Sequence, residues 1–166
     1  QRRSEGSCQT ERWTALTHMA GMGGGIMATL DYETEACLVD EFCEAIEMPD
    51  PPWGSLKWMS EFGYVRGRTD IVAVDDEGRV IAFEAKLSRW RDAMHQAYRN
   101  TCFAHESYVV LPEPIARRAS AHEYEFKRRA VGICYVSEGQ VHVCLPARSR
   151  EPIQPSLSRV ARSAIE

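Results

Sequence analysis

The sequence predicts an α/β domain whose elements follow the order αβββαβαββ, and three observations support this fold class. Apolar side chains recur at helical spacing between residues 33 and 47. Two segments rich in β-forming residues flank the turn Asp76-Glu77-Gly78, which predicts a β-hairpin. Helical and strand patterns then alternate as far as residue 145. A chain of 166 residues has room for one such domain.

Each element has its own local signal. The first helix is predicted over residues 33 to 47, with Asp31 as its cap and a proline-rich segment from Pro49 closing it. The later predicted elements are strands at 62–66, 69–75 and 79–86, a helix at 88–102, a strand at 107–111, a helix at about 113–128, and strands near 131–137 and 140–145. The turn Glu138-Gly139 joins the last two strands into a C-terminal β-hairpin.

The two ends of the chain lack these patterns. Residues 1–30 show no sustained periodicity, so we expect a flexible N-terminal arm. Residues 146–166 contain Pro152 and Pro155 and carry four arginines against two glutamates. We expect them to form an extended or weakly helical tail, which leaves 31–145 as the folded domain.

Composition excludes some classes of protein. The net charge is -4 and the isoelectric point is near 5.8, which argues against a uniformly basic nucleic-acid binder but permits a local basic face. No apolar run approaches the roughly 20 residues of a membrane span. The N-terminus also lacks a secretory pattern. We therefore expect a cytoplasmic protein that does not bind membranes.

The cysteines do not predict a zinc site. The chain has six of them, and no two have a C-x2-C or C-x4-C spacing. Most lie inside apolar patterns, so reduced thiols are expected. The six are Cys8, Cys37, Cys43, Cys102, Cys134 and Cys144.

Acidic and basic residues come together at the first hairpin. Glu84 and Lys86 are two residues apart on a predicted strand, so their side chains share one face about 6 to 7 Å apart. Asp70 and Glu84 are equally distant from the turn at Glu77, which makes them near cross-strand neighbours. Two carboxylates at this separation repel each other unless a cation lies between them, as a divalent ion would. Alternatively, Lys86 pairs with both acids as a structural ion bridge.

Glu35 is the third candidate acid. On a helical projection it lies in the middle of the apolar stripe formed by Val39, Phe42 and Ile46. A carboxylate facing the core needs a cation or a hydrogen-bonding partner. It is interpreted either as a further metal or water ligand aimed at the strand carboxylates, or as a first-turn acid favoured by the helix dipole.

The set Glu35, Asp70 and Glu84-Ala85-Lys86, placed on helix, strand and strand, resembles the PD-(D/E)XK nuclease superfamily. That superfamily has the restriction-endonuclease-like fold and includes archaeal-type Holliday junction resolvases. Thr69 replaces the proline of the nominal motif, and residues 83–86 match its E-X-K core. The likeness spans residues 33–145. It implies an αβββαβ core with a mixed sheet flanked by helices.

The resemblance implies a metal-dependent DNA endonuclease. Asp70, Glu84 and the Ala85 carbonyl would hold Mg²⁺, with Mn²⁺ as a substitute, to polarise the scissile phosphate and activate a water. Lys86 would stabilise the negative charge of the transition state. A role as a base is less favoured, because two neighbouring carboxylates raise the pKa of a lysine.

Gln96 resembles the glutamine that several branches of this superfamily place on the helix after the motif. The exonuclease-type pattern Q-x3-Y is incomplete, because Asn100 occupies the tyrosine position. Gln96 shares a helix flank with Arg89, Arg99 and Asn100, which is either a catalytic and DNA-binding face or an ordinary solvated one. Residues predicted to lie on the opposite side are Trp90, Met94 and Tyr98.

Basic residues follow the motif along the chain. Residues 31–50 carry eight acids and no lysine or arginine, whereas residues 87–130 carry eight basic and five acidic side chains. Arg117 and Arg118 on the third predicted helix, together with Arg89 and Arg99, are candidate DNA contacts. Solubility explains such a cluster equally well.

The sequence therefore predicts a Mg²⁺-dependent endonuclease acting on DNA. Because there is no room for a separate reader domain, a homodimer or a larger complex with a target-recognition partner is expected. The first alternative is a non-cleaving nucleic-acid-binding or regulatory subunit that retains the nuclease fold. The second is a non-nuclease interaction domain in which Asp70, Glu84 and Lys86 form a structural ion cluster.

Overall fold

Six strands form one mixed sheet, and five helices flank it, in the computed structural model, which describes residues 32–65 and 67–165. The predicted flexible arm lies outside the described residues. The strands are β1 (Leu56–Tyr64), β2 (Gly67–Asp75), β3 (Val80–Ala85), β4 (Glu106–Val110), β5 (Val131–Ser137) and β6 (Gln140–Leu145). The helices are α1 (Glu35–Ile46), α2 (Trp90–Asn100), α3 (Glu113–Ser120), α4 (Glu123–Arg129) and α5 (Pro155–Ile165).

The strands lie in the sheet in the order in which they occur in the chain, β1-β2-β3-β4-β5-β6. β3, β4 and β5 are parallel neighbours, and the other pairs are antiparallel. Helix α2 connects β3 to β4, and helices α3 and α4 connect β4 to β5, as parallel pairing requires. The mixed α/β class and the C-terminal hairpin are confirmed.

The two tight turns were predicted correctly. Glu138 and Gly139 both have positive φ, 54° and 71°, which is the conformation of a type I′ hairpin turn. In the β2–β3 turn, the Asp75 carboxylate accepts hydrogen bonds from the backbone N–H groups of Glu77 and Arg79 at 3.0 and 2.8 Å. This turn sets the pairing of β2 with β3.

Helix α1 covers one face of the sheet. Its buried Leu38 and Phe42 pack with Ile71 of β2 and Phe83 of β3, and the rings of Phe42 and Phe83 lie 4.9 Å apart. The helix begins later than predicted, because the hydroxyl of Thr34 caps it by accepting a hydrogen bond from the N–H of residue 37. The predicted cap Asp31 lies outside the described residues.

The other four helices cover the opposite face. α2, α3 and α4 pack over β4 and β5, around Val109 and Ile133. The third predicted helix was expected to be continuous over 113–128, but the structure divides it into α3 and α4 around residues 121–122. Beyond the break, Phe126 of α4 stacks on Trp90 of α2 with ring centroids 5.5 Å apart.

Residues after 145 are not simply a tail. Ser158 and Ala161 of α5 are buried, and the helix packs over β1, β2 and β3. The expected tail was inferred from its prolines, but Pro155 opens α5, where a missing N–H removes no helical hydrogen bond. The folded part of the chain therefore extends beyond the predicted limit at residue 145.

Strand β1 is longer than the predicted strand at 62–66. It begins at Leu56, and Phe62 is its one buried residue. β1 lies at the edge of the sheet, so most of its residues are at least partly exposed and the apolar pattern is weak. Among the described residues, no helix is long and apolar enough to cross a membrane.

Candidate active site

Asp70 and Glu84 lie side by side on adjacent strands. Ile71 pairs with Phe83, so the next position along each strand brings Asp70 opposite Glu84, as predicted from the turn. The Asp70 carboxyl group is close enough to raise the pKa of Glu84. The backbone N–H of Ala85 also donates to Asp70 Oδ2 at 2.9 Å. The hairpin thus forms the carboxyl pair through local strand geometry.

Glu84 is almost completely buried, with 1% of its surface exposed. Burial raises the pKa of its carboxyl group to about 8, and the charge of Asp70 adds to this rise. A hydrogen bond from Asn100 and the positive charge of Lys86 act in the opposite direction. Without a bound cation, the pair therefore holds a proton at neutral pH, as closely spaced carboxyls do.

Asn100, at the end of α2, is a site residue that the sequence reasoning missed. The sequence predicts Asn100 on a helix flank that is either a catalytic face or a solvated one. In the structure it is 1% exposed, and its Nδ2 donates to Glu84 Oε1 at 2.6 Å. Its Oδ1 accepts hydrogen bonds from the hydroxyls of Tyr64 and Thr69, each at 3.0 Å. A usable signal existed, because Gln96 and Asn100 are four residues apart and share one helix face.

Lys86 follows the last residue of β3, and its Nζ lies 2.7 Å from Glu35 Oε2. Glu35 does lie at the site, but it is not the buried acid that the helical projection indicated. It stands in the first turn of α1, and its side chain is 47% exposed. The apolar stripe becomes buried only from Leu38 onward, so the interpretation as a first-turn acid is the better one.

Gln96 lines an open cleft beside Lys86. Its Oε1 is buried and has no hydrogen-bond partner among the described residues. Tyr98 was predicted to pack inward, but it is 48% exposed and borders the same cleft. The cleft has a volume of about 510 Å³. Its lining residues are Lys86, Asp92, His95, Gln96, Tyr98 and Arg99.

The four candidate arginines fall into two groups. Arg99 borders the cleft, and Arg89 forms an ion pair with Asp92 of the cleft wall at 2.6 Å. Arg117 and Arg118 lie on α3, which packs on β5 and β6, at least two strands away from β3. Among the described contacts, those of Arg117 are with neighbours on its own side of the sheet, so the structure does not bring this pair to the site.

The donor set can be compared with the needs of a metal ion. Among residues 32–65 and 67–165, no group of three or more His, Cys, Asp or Glu side chains could hold one. The protein donors for Mg²⁺ would be the carboxylates of Asp70 and Glu84 and the carbonyl of Ala85. These hard oxygen donors suit Mg²⁺, which is commonly held by one or two carboxylates and retains several waters. The raised pKa of Glu84 beside Asp70 marks the place where a cation would be favourable.

Comparison with known proteins bears on the fold alone. No protein-family model matches the chain, and no curated protein matches it. Among solved structures, the chain is similar to the SPO1766 protein of unknown function from Silicibacter pomeroyi. The TM-score is 0.50 at 14% identity, and the match covers 65% of this chain and 70% of that one.

A weaker likeness is to SfsA of Pyrococcus furiosus, solved in complex with Ca²⁺. Its TM-score is 0.30 at 10% identity, and the match covers 56% of this chain and 54% of that one. This score is too low to support an argument about function. The fold class is thus a mixed α/β sheet flanked by helices, and the function rests on the site itself.

Proposed function

We propose that this protein is a Mg²⁺-dependent DNA endonuclease of the PD-(D/E)XK type, with a restriction-endonuclease-like core. One observation carries the proposal: the buried Glu84 stands beside the half-buried Asp70, with Lys86 two residues beyond Glu84 along the chain. Burying a carboxyl group beside another acid lowers stability, and an ordinary hairpin has no need of it. A site that binds a hard cation does need two carboxyl groups side by side.

Each residue of the site has a distinct role in this proposal. Asp70, Glu84 and the carbonyl of Ala85 hold the metal. The chemistry that Mg²⁺ supplies when bound is polarisation of the scissile phosphate and a lowered pKa of an attacking water. The Ala85 N–H keeps the Asp70 carboxylate oriented through its 2.9 Å hydrogen bond.

Lys86 supplies positive charge beside the metal ligands. Its ammonium is held at 2.7 Å from the Glu35 carboxylate, which keeps the long side chain in one place. An incoming phosphate would compete with Glu35 for this ammonium. Glu35 therefore acts on catalysis through Lys86, and Lys86 stabilises the extra negative charge of the transition state.

The cleft along α2 is the proposed contact surface for DNA. It leads from Lys86 to Gln96, Tyr98 and Arg99, so it combines positive charge, an amide and an exposed aromatic ring. Arg117 and Arg118 would contact only more distant phosphates. A cytoplasmic location and a homodimer, or a complex with a target-recognition partner, complete the proposal.

The proposal is tested by metal binding and cleavage together. Mn²⁺ binding is measured by calorimetry, and supercoiled, linear, single-stranded and branched DNA are incubated with Mg²⁺, Mn²⁺ or EDTA. We expect cleavage that needs the metal and is lost in Asp70→Asn, a variant of nearly unchanged size. Metal-independent cleavage, or full activity in folded Asp70→Asn, would refute the proposal.

A non-cleaving nucleic-acid-binding subunit is the second candidate, and one contact favours it. The charge of Lys86 is neutralised by its ion pair with Glu35. In that case the protein would bind DNA and leave it intact with either metal. A structural ion cluster would show neither DNA binding nor measurable Mn²⁺ binding.

A further inference from the structure

A chain of hydrogen bonds runs from the half-buried Tyr64 of β1 through buried Asn100 to the carboxyl pair. The hydroxyls of Tyr64 and Thr69 both donate to Asn100 Oδ1 at 3.0 Å, and Asn100 Nδ2 donates to Glu84 Oε1 at 2.6 Å. Thr69, Asn100 and Glu84 are each no more than 1% exposed. Polar groups at such depth are stable only when they are hydrogen-bonded.

The two hydroxyl donors determine how the Asn100 amide is oriented. Rotating the amide by 180° would turn its NH₂ group toward two hydroxyls and its oxygen toward a carboxyl group. Burial raises the pKa of Tyr64, so its hydroxyl keeps its proton and remains a donor at neutral pH. In the structure the NH₂ group of Asn100 faces Glu84, and this one orientation matches the amide oxygen to both hydroxyl donors and the amide N–H to the carboxyl group.

We propose that Asn100, oriented by Tyr64 and Thr69, is a positioning residue that fixes the Glu84 carboxyl group. By occupying Oε1 it leaves the second oxygen of Glu84 for Asp70 and for the metal. This inference rests on the proposed function for its consequence in metal binding.

The placement of these residues supports positioning over simple packing. Tyr64 lies on β1 and Thr69 on β2, whereas Asn100 is the last residue of α2. The chain thus connects three elements at one carboxylate. A buried position that only needed filling would be occupied by an apolar residue without the cost of desolvating an amide.

The test compares Mn²⁺ affinity, measured by calorimetry, in folded variants of the full chain. Asn100→Leu has a similar size but cannot donate to Glu84, and residues that support metal ligands typically affect affinity by about 10- to 100-fold. We expect Mn²⁺ binding to weaken by at least about tenfold. Tyr64→Phe keeps the aromatic ring and leaves the Asn100 amide in place, so it should give a smaller loss of Mn²⁺ affinity. It also tests the inference if Asn100→Leu does not fold.

Ser158→Ala is the matched control. It removes another buried hydrogen bond, from the Ser158 hydroxyl to the Phe103 carbonyl, at a position on α5. Its melting temperature should fall while Mn²⁺ affinity stays at the wild-type value. Wild-type affinity in folded Asn100→Leu, or an equal loss in Ser158→Ala, would overturn the inference.

A metal-free measurement separates this inference from the proposed function. In NMR spectra, one side-chain amide proton of Asn100 should be shifted downfield and protected from exchange, and Glu84→Leu should abolish both effects. If this signature is present and the wild-type protein binds no Mn²⁺, the positioning stands and the nuclease proposal fails. If the signature is absent, the positioning fails whatever the metal does.

Discussion

The pKa of Glu84 shows how strongly the surroundings of a single residue change its ionisation. A glutamate on an exposed strand end ionises near pH 4.5, but this one lies at 1% exposure between Asp70 and Asn100. Its environment favours the protonated form by withholding water and by placing a second acid beside it. The same features make ionised Glu84 destabilising in the metal-free protein and suit it to bind a metal ion.

The contribution of Glu84 to the stability of the metal-free protein should therefore fall as the pH rises. The folded state binds the Glu84 proton more tightly than the unfolded state, because its pKa is raised from 4.5 to about 8. The stabilisation is complete below about pH 4.5 and is lost as the pH rises through about 8. Between these values the slope from this group is about -1.4 kcal/mol per pH unit.

Chemical denaturation of wild type and Glu84→Gln in EDTA, repeated across this pH range, measures the contribution. Other groups titrate in both proteins, so the difference between the two curves isolates Glu84. Parallel curves would show that Glu84 has an ordinary pKa.

Lys86 should behave differently from the carboxylates, since its proposed role is charge stabilisation and not metal capture. Lys86→Ala is expected to lower the rate of DNA cleavage by about 10²-fold or more, the scale of one preorganised electrostatic contact. Mn²⁺ affinity should be unchanged or higher. Lys57→Ala, at an exposed position near the start of β1, is the control and should retain the wild-type rate. Much weaker Mn²⁺ binding in Lys86→Ala would contradict this division of roles.

At the scale of elements, turns and buried strands were the most predictable features. The residues at 138–139 and 76–78 determine two hairpins, and the bounds predicted for β5 and β6 agree with the structure. Edge strand β1 was mostly missed, because a strand with one buried residue has little apolar periodicity. The break between α3 and α4 was missed as well, because residues 115–128, which follow Pro114 at the start of α3, carry no proline or glycine to mark it.

Helix α2 provides a prediction at this scale. If its cleft binds DNA, the exposed ring of Tyr98 stacks on bases, and Tyr98→Ala should weaken the binding of single-stranded DNA. Stacking contributes about 1–3 kcal/mol per base, so a loss of roughly 5- to 150-fold is expected by fluorescence anisotropy.

Tyr124→Ala is the matched control, because this tyrosine is 73% exposed but lies on α4, outside the cleft. It should bind DNA like the wild type. Metal-free conditions prevent cleavage during the measurement. Equal effects of the two substitutions would remove α2 from the DNA-binding surface.

At the scale of the whole molecule, α5 closes the face of the sheet behind β1, β2 and β3. Ala161 is completely buried there, whereas its neighbour Val160 is 56% exposed. Ala161→Asp would bury an unpaired carboxylate and should destabilise the protein by about 3 kcal/mol or more, measured by urea denaturation. Val160→Asp should change stability by no more than about 0.5 kcal/mol. Similar effects of the two changes would show that α5 does not pack on the sheet in solution.

The sequence by itself determined what depends on near neighbours in the chain. Turn chemistry and strand alternation determined that Asp70 would meet Glu84, because the pairing of a hairpin follows from its turn. Only the tertiary structure decided which groups complete the site. Asn100 meets Glu84 because α2 packs back on the sheet, and Glu35 meets Lys86 because α1 crosses the other face. A helical projection places a residue around the helix axis but not along it, so it could not show that burial on α1 begins only at Leu38 and leaves Glu35 exposed.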